Sequence, residues 1–444
     1  TDSFGFSLMG YFHSPYYHDP TPAMRNSLYD VIAWRMPAGW SPYGSRTTYS
    51  GSLNGTAAPL DYHKWVGANP GSGCVVTSCP GDIIINNYIT QDFNGGEVRS
   101  SIASRRGEAP PTVAGPSMFF DEGNGAMTIY RWKSTGSAFT PLTTTGISSG
   151  YSLSNVGNHM AAADVNADGR TDNVVAYQYP DGTMRLHVFL NGSWYQGSAG
   201  WFQSGTFDLA KVGGGMVGGD FNGDGKGDVA MLYDNGGGLD IYRFLSTGNS
   251  FTSDKVTVAT SGYSMSAVGE NVASADVNAD GKTDIVAAYQ YADGTMRLHV
   301  FLNGNSYQGS SGWFQSGQFS MSAVAGRMVG GDFNGDGKGD ILMFKDSGPG
   351  VYMYRFLSSG TSFSYDLSSI TTGYDMDQVG SRLGAGDING DGKTDAVVAY
   401  QYGDGTFRFH VFIDGNSYGG SAGWYQSGQF NLANVDGRLT MGKW

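Results

Sequence analysis

Five nine-residue segments of one form begin at Asp164, Asp220, Asp276, Asp332 and Asp387, spaced 56, 56, 56 and 55 residues apart. They read DVNADGRTD, DFNGDGKGD, DVNADGKTD, DFNGDGKGD and DINGDGKTD. A period of this length means one supersecondary unit repeated, whose copies bury their faces on each other. After each segment comes a short apolar run, such as 173–177, 229–233 or 341–344, then a turn and a second alternating run, such as 183–190, 239–245 or 295–302. Asp181-Gly182, Asp293-Gly294 and Asp404-Gly405 mark hairpins between these runs, and Asn191-Gly192, Asn303-Gly304 and Asp414-Gly415 mark the next reversal. The unit is antiparallel sheet of about four strands, which predicts an all-β propeller.

A second period overlies the first. Tyr177 to Gly205, Tyr289 to Gly317 and Tyr400 to Gly428 share a long variant, whereas the units at Asp220 and Asp332 share a shorter one with Tyr-Arg-Phe-Leu at 242–245 and 354–357. Ile129-Tyr130-Arg131-Trp132 precedes Ile241-Tyr242-Arg243-Phe244 by 112 residues, so a sixth unit occupies about 108–155. Its loop position, Glu108-Ala-Pro-Pro-Thr, has lost its carboxylates. The run GRLTMG at 437–442 matches GRMVGG at 326–331, and Lys443 stands where the next loop would begin. A repeat that stops after one strand predicts a ring closed by the C-terminal strand, which leaves no open sheet edge. With the N-terminal region supplying the rest of that closing blade, the expectation is seven four-stranded blades. Residues 1–107 show no clean copy of the repeat and form an irregular region, and 108–444 form the blades.

Calcium is a hard cation that takes six to eight oxygen ligands. Each segment offers oxygens at positions one, three, five and nine and a backbone carbonyl at seven. The predicted ligands are Asp164, Asn166, Asp168, Arg170 and Asp172; Asp220, Asn222, Asp224, Lys226 and Asp228; Asp276, Asn278, Asp280, Lys282 and Asp284; Asp332, Asn334, Asp336, Lys338 and Asp340; and Asp387, Asn389, Asp391, Lys393 and Asp395. The basic residue at position seven is expected to give its carbonyl and point its side chain to water. The competing reading is a loop held only by bonds from side chain to backbone. Carboxylates crowded in one turn repel, however, and call for a cation. Five structural Ca²⁺ are therefore expected. Fifteen of the 39 acids lie in these loops, and five ions would take the net charge from −13 to about −3. The acidic balance argues against nucleic acid as a partner, and no run approaches the roughly 18 apolar residues of a membrane span.

The loops and their surrounding unit resemble the FG-GAP or VCBS repeat family, similar to integrin α-subunit propellers and to calcium-containing propeller lectins. The resemblance covers about 108–442. It implies a seven-bladed propeller with calcium in the blade loops, commonly secreted or at the cell surface. Thr1 in place of a methionine suggests a processed chain, which suits secretion.

Function must be sought outside the loops, because this scaffold serves many ends. The long variants repeat Tyr195, Gln196, Trp201 and Gln203; Tyr307, Gln308, Trp313 and Gln315; and Tyr418, Trp424 and Gln426. Aromatic faces beside amides suit a carbohydrate or glycoconjugate partner, and the same rings also suit filling of the wedges between blades. A polysaccharide-active enzyme is the alternative. His13 and His18, with Asp19, fall in one irregular stretch, and His63 and His159 stand apart, whereas His187, His299 and His410 share one strand position and read as structural. A protein-binding module is the third reading. Cys74 and Cys79 suggest a small local disulfide, or two reduced structural thiols.

Overall fold

A computed structural model describes residues 113–444. The N-terminal histidines, both cysteines and Glu108 lie outside the described residues.

The alternating runs form antiparallel strands in six sheets. The innermost strands are Met160–Ala163, Val212–Gly219, Val272–Ala275, Met328–Gly331, Leu383–Gly386 and Val435–Gly442. Each lies beside the next, and Val435–Gly442 lies between Leu383–Gly386 and Met160–Ala163, so the ring closes on six blades. Small residues permit the crowding at the axis. A Cβ on Gly218 would come within 2.5 Å of the Ala162 carbonyl, and one on Gly330 within 2.2 Å of Ser274. The cavity left along the axis is only about 170 Å³.

The seventh blade predicted from the sequence is absent from this ring. The sheet of blade one takes Val435–Gly442 as its inner strand, paired antiparallel with Gly115–Gly123. The loss of carboxylates before residue 115 and the break at Lys443 are thus one loop position split in two, which the sequence reading counted twice. Lys443 occupies position one, where its carbonyl accepts from Thr171 at 2.9 Å, and Ala114 occupies position eight, where its N–H donates to the Asp387 carbonyl at 2.7 Å. Trp444 is buried like Val165, Phe221, Val277, Phe333 and Ile388 at position two of the intact loops.

A blade between two neighbours buries both faces, and strand alternation divides its residues between them. In blade two, Val174, Ala176, Leu186 and Val188 face blade three, whereas Val175, Tyr177 and Phe189 face blade one. Seams of two kinds alternate around the ring. After blades two, four and six, a tryptophan of the long variant meets a phenylalanine of the next blade: Trp201 with Phe251, Trp313 with Phe363 and Trp424 with Phe139, ring centroids 5.4–5.8 Å apart. After blades one, three and five, an arginine reaches across to a hairpin carbonyl: Arg131 to Asn191, Arg243 to Asn303 and Arg355 to Asp414, at 2.7–2.9 Å. The ring is therefore three two-blade modules. The long variant arises because the fourth strand of blades two, four and six is split, as in Trp194–Tyr195 and Phe202–Thr206, with the intervening residues leaving the sheet.

Candidate metal loops and outer seams

Each loop joins the inner strand of its blade to the second strand, and its own backbone shapes it. In all five, the N–H of position six donates to the position-one carboxylate at 2.8–3.1 Å. The N–H of position five donates to the position-three asparagine oxygen at 2.8–3.1 Å, and that of position seven to the position-five carboxylate at 2.9 Å. The turn demands a left-handed residue at position four. Glycine fills it in three loops, and Ala167 and Ala279 adopt it at φ 56° and 57°.

Position nine ties the loop to its blade. Asp172, Asp228, Asp284, Asp340 and Asp395 are fully buried. One oxygen of each accepts the N–H of position two at 2.9–3.2 Å. The other accepts an N–H from the hairpin between third and fourth strands at 2.7–2.9 Å. Burial, against the pull of those N–H groups, raises four of these carboxyls to about 6 and that of Asp172 to about 8, with the other acids of the loop adding to the rise.

The basic residues at position seven depart from expectation. Arg170 is buried, and none of the four lysines is fully exposed. Lys226 and Lys338 fold back onto the position-five acids Asp224 and Asp336 at 3.0 and 3.2 Å, and Lys393 meets Asp414 at 3.0 Å. The lysines keep part of their length in water while three of the four ammonium groups meet a carboxylate.

Among the described residues no three His, Cys, Asp or Glu side chains converge as a ready-made metal cluster. The donors nevertheless suit a hard divalent cation. Every carboxylate or amide oxygen that accepts one N–H keeps a second lone pair, and the desolvated acids at position nine, together with Asp164 at position one, favour either a proton or a cation. Three carboxylates, an amide oxygen and the position-seven carbonyl would hold Ca²⁺ in each loop, and the ion would supply the charge that relieves their repulsion.

Consecutive loops are linked head to tail. The position-one carbonyls of Asp164, Asp220, Asp276 and Asp332 accept the position-eight N–H of the following loop at 2.6–2.7 Å.

The aromatic clusters expected on the long variants do not assemble as such. Tyr195, Tyr307 and Tyr418 turn toward the preceding blade, stacked on Phe189, Phe301 and Phe412 at 5.0–5.1 Å. Trp201, Trp313 and Trp424 turn toward the following blade. The blade separates the two sets. Gln203, Gln315 and Gln426, two residues on, are exposed and pair in register with Arg185, Arg297 and Arg408, whereas Phe202, Phe314 and Tyr425 just before them pack toward the following blade, so strand alternation turns the amides to the other face. The indoles are half-buried. Each module thus keeps a partly open tryptophan and a solvated amide at its outer rim. Gln196 and Gln308 are exposed and bond the backbone of residues 194 and 306 at 3.0–3.1 Å.

On the other seam the tyrosines surround His187, His299 and His410, which are 1% exposed and pushed down to about 4 by burial. Around His187, the Tyr179 hydroxyl lies 3.2 Å from both Nε2 and the Ser198 carbonyl, and the Tyr151 hydroxyl lies 3.1 Å from Nδ1. A carbonyl only accepts, so Tyr179 donates to Ser198, Nε2–H donates to Tyr179, and Nδ1 accepts from Tyr151. The same chain recurs at His299 and His410. A buried neutral imidazole committed on both nitrogens is a structural element, as its strand position foretold. His159 is also buried and bonds the Val156 carbonyl at 2.6 Å. No helix among the described residues is long and apolar enough to cross a membrane.

The sequence matches the FG-GAP-like repeat at 220–287, 276–343 and 332–398, and the FG-GAP repeat at 379–422. No curated protein matches it. Among solved structures, it is similar to the BP39L lectin from Burkholderia pseudomallei, at 13% identity over 69% of this chain and 82% of that one, TM-score 0.41. The six-bladed lectin of Aleuria aurantia, described with a fucose recognition mode, is similar at 14% identity over 72% and 94%, TM-score 0.36. The exotype rhamnogalacturonan lyase YesX is similar at 14% identity over 68% and 66%, TM-score 0.30.

Proposed function

We propose, from the premise that residues 220–422 are FG-GAP repeats, that this chain is a calcium-stabilised extracellular propeller that binds carbohydrate at its outer seams. One observation carries the reading. A half-buried tryptophan with an exposed glutamine two residues on recurs at three equivalent rim positions, Trp201/Gln203, Trp313/Gln315 and Trp424/Gln426. Packing alone accounts for the indole against phenylalanine, but it gives no role to the exposed amide that follows two residues on along the outer strand in all three modules. A partly open indole offers a sugar ring a flat apolar face to stack on, and exposed amides on the same outer strand offer hydrogen bonds to its hydroxyls. Calcium has no part in that contact and serves to hold the loops that join each inner strand to the second strand.

A glycan array probed with the full chain in calcium buffer tests this. The expected result is binding to one saccharide class, lost when Gln203, Gln315 and Gln426 are together changed to alanine, a substitution of exposed side chains that spares the fold. Absence of any bound glycan, or binding indifferent to both that variant and Trp313→Ala, would sink the reading.

A further inference from the structure

In five blades the inner strand runs through a loop directly into the second strand. Blade one lacks that continuity: its inner strand, 435–442, and second strand, 115–123, meet from opposite ends of the ring, with Ser117 and Thr440 in contact across 323 residues of sequence. Their pairing is also irregular between Ser117 and Phe119. Two loops make up for the missing connection. Thr171, position eight of the first loop, donates its N–H to the Lys443 carbonyl and accepts the Lys443 N–H on its hydroxyl, both at 2.9 Å. Asp387, position one of the last loop, takes the Ala114 N–H on its carbonyl at 2.7 Å. Between these clips Trp444 donates its indole N–H to the Gly115 carbonyl at 2.7 Å.

We propose that loops 164–172 and 387–395 latch the ring, so that a divalent hard cation bound in them controls whether the split blade stays assembled. The proposal rests on the calcium reading above. The clipping groups belong to residues that an ion would immobilise. Asp387 offers its side chain to the ion and its carbonyl to Ala114, while Thr171 lies between the position-seven carbonyl and the position-nine carboxylate. Without the ion, crowded carboxylates drive the loop open and carry those backbone groups with them. The loops at 220, 276 and 332 make equivalent bonds, but between blades whose strands are covalently continuous, and loosening them releases no strand. Closure is therefore the step most exposed to metal loss, since local opening follows the element with the fewest constraints.

Amide hydrogen exchange on the full chain, read by mass spectrometry over 113–123 and 435–444 with Ca²⁺ and after chelation, tests the latch, with bound calcium counted by atomic emission. Chelation is expected to accelerate exchange in these two segments about tenfold more than in 272–275. With Ca²⁺ present, Asp164→Asn/Asp168→Asn, or Asp387→Asn/Asp391→Asn, should do the same at the cost of one ion, and Asp276→Asn/Asp280→Asn should lose an ion without it. Thr171→Val removes no ligand, so it should keep the full calcium complement yet speed exchange at 435–444 by about threefold. A chain that binds calcium but whose closing strands ignore chelation, or respond equally to the 276/280 variant, overturns the latch and leaves the calcium reading standing. A chain that binds no calcium overturns both.

Discussion

At the scale of single residues, position nine is where loop and blade meet, and its chemistry sets a pH dependence. Asp228, Asp284, Asp340 and Asp395 are raised from 3.8 to about 6, and Asp172 to about 8. A raised carboxyl holds its proton in the folded chain after the unfolded chain has lost it. Its stabilising contribution is thus complete below pH 3.8 and is lost as pH rises through 6, or 8 for Asp172. The histidines at 187, 299 and 410 act in the opposite sense. Lowered from 6.5 to about 4, they stabilise above 6.5, and that contribution is lost as pH falls through 4. Under the calcium proposal, the bound ion would replace the protons on the aspartates and leave the histidines alone. The difference in melting temperature between calcium-loaded and calcium-free protein should therefore grow from pH 4 to pH 8, most steeply between 4 and 6. Equal differences at pH 4.5 and 7.5 would contradict this assignment. The acids themselves were legible in the sequence, since their spacing is the repeat. That both oxygens of position nine are bound to backbone N–H groups was not, because the hairpin donor lies 18 or 19 residues away and is chosen by sheet register. Nor was the burial of Arg170.

The elements were largely readable. The Asp-Gly pairs do form the expected turns, Gly182 at φ 83° with Asp181 accepting from the N–H of Thr183 at 2.9 Å. The long variant resisted the same treatment. Tyr195 and Trp201 are close in sequence, but residues 196–201 leave the strand between its two pieces, and alternation no longer tells which face a side chain takes. The rings consequently went to opposite seams. The arginine staple is the element-level feature with the clearest energetic consequence. Arg355 grips Asp366 at 2.9 and 2.5 Å while donating to the Asp414 carbonyl at 2.9 Å, joining two strands of one blade to the next blade. Arg355→Ala should cost about 2–3 kcal/mol in urea unfolding with calcium present. Arg355→Lys should recover less than half, since a point charge cannot reproduce the fork. Full recovery by lysine would show that charge alone matters there.

For the molecule as a whole, the propeller class and its closure by the last strand followed from the repeat, and the number of blades did not. A split loop carries two partial signatures, and only the bonds from Lys443 to Thr171 and from Asp387 to Ala114 show that they belong to one position. Calcium remains the prediction with the widest reach. Five ions per chain should be found by atomic emission after dialysis in Ca²⁺, and their removal should lower the melting temperature by several degrees or more, each bound ion adding its own linkage term. An unchanged melting temperature with the ions gone would remove calcium from the account of stability. The three-module construction also bears on how such a ring meets a surface. Alternate seams repeat every third of a turn, so the tryptophan sites look outward in three different directions. Under the carbohydrate proposal, a flat array of glycans would engage one of them at a time, and the remaining two would be left facing away, free to take a second cell or particle. Such sites would favour cross-linking between separate surfaces over tightened hold on a single one.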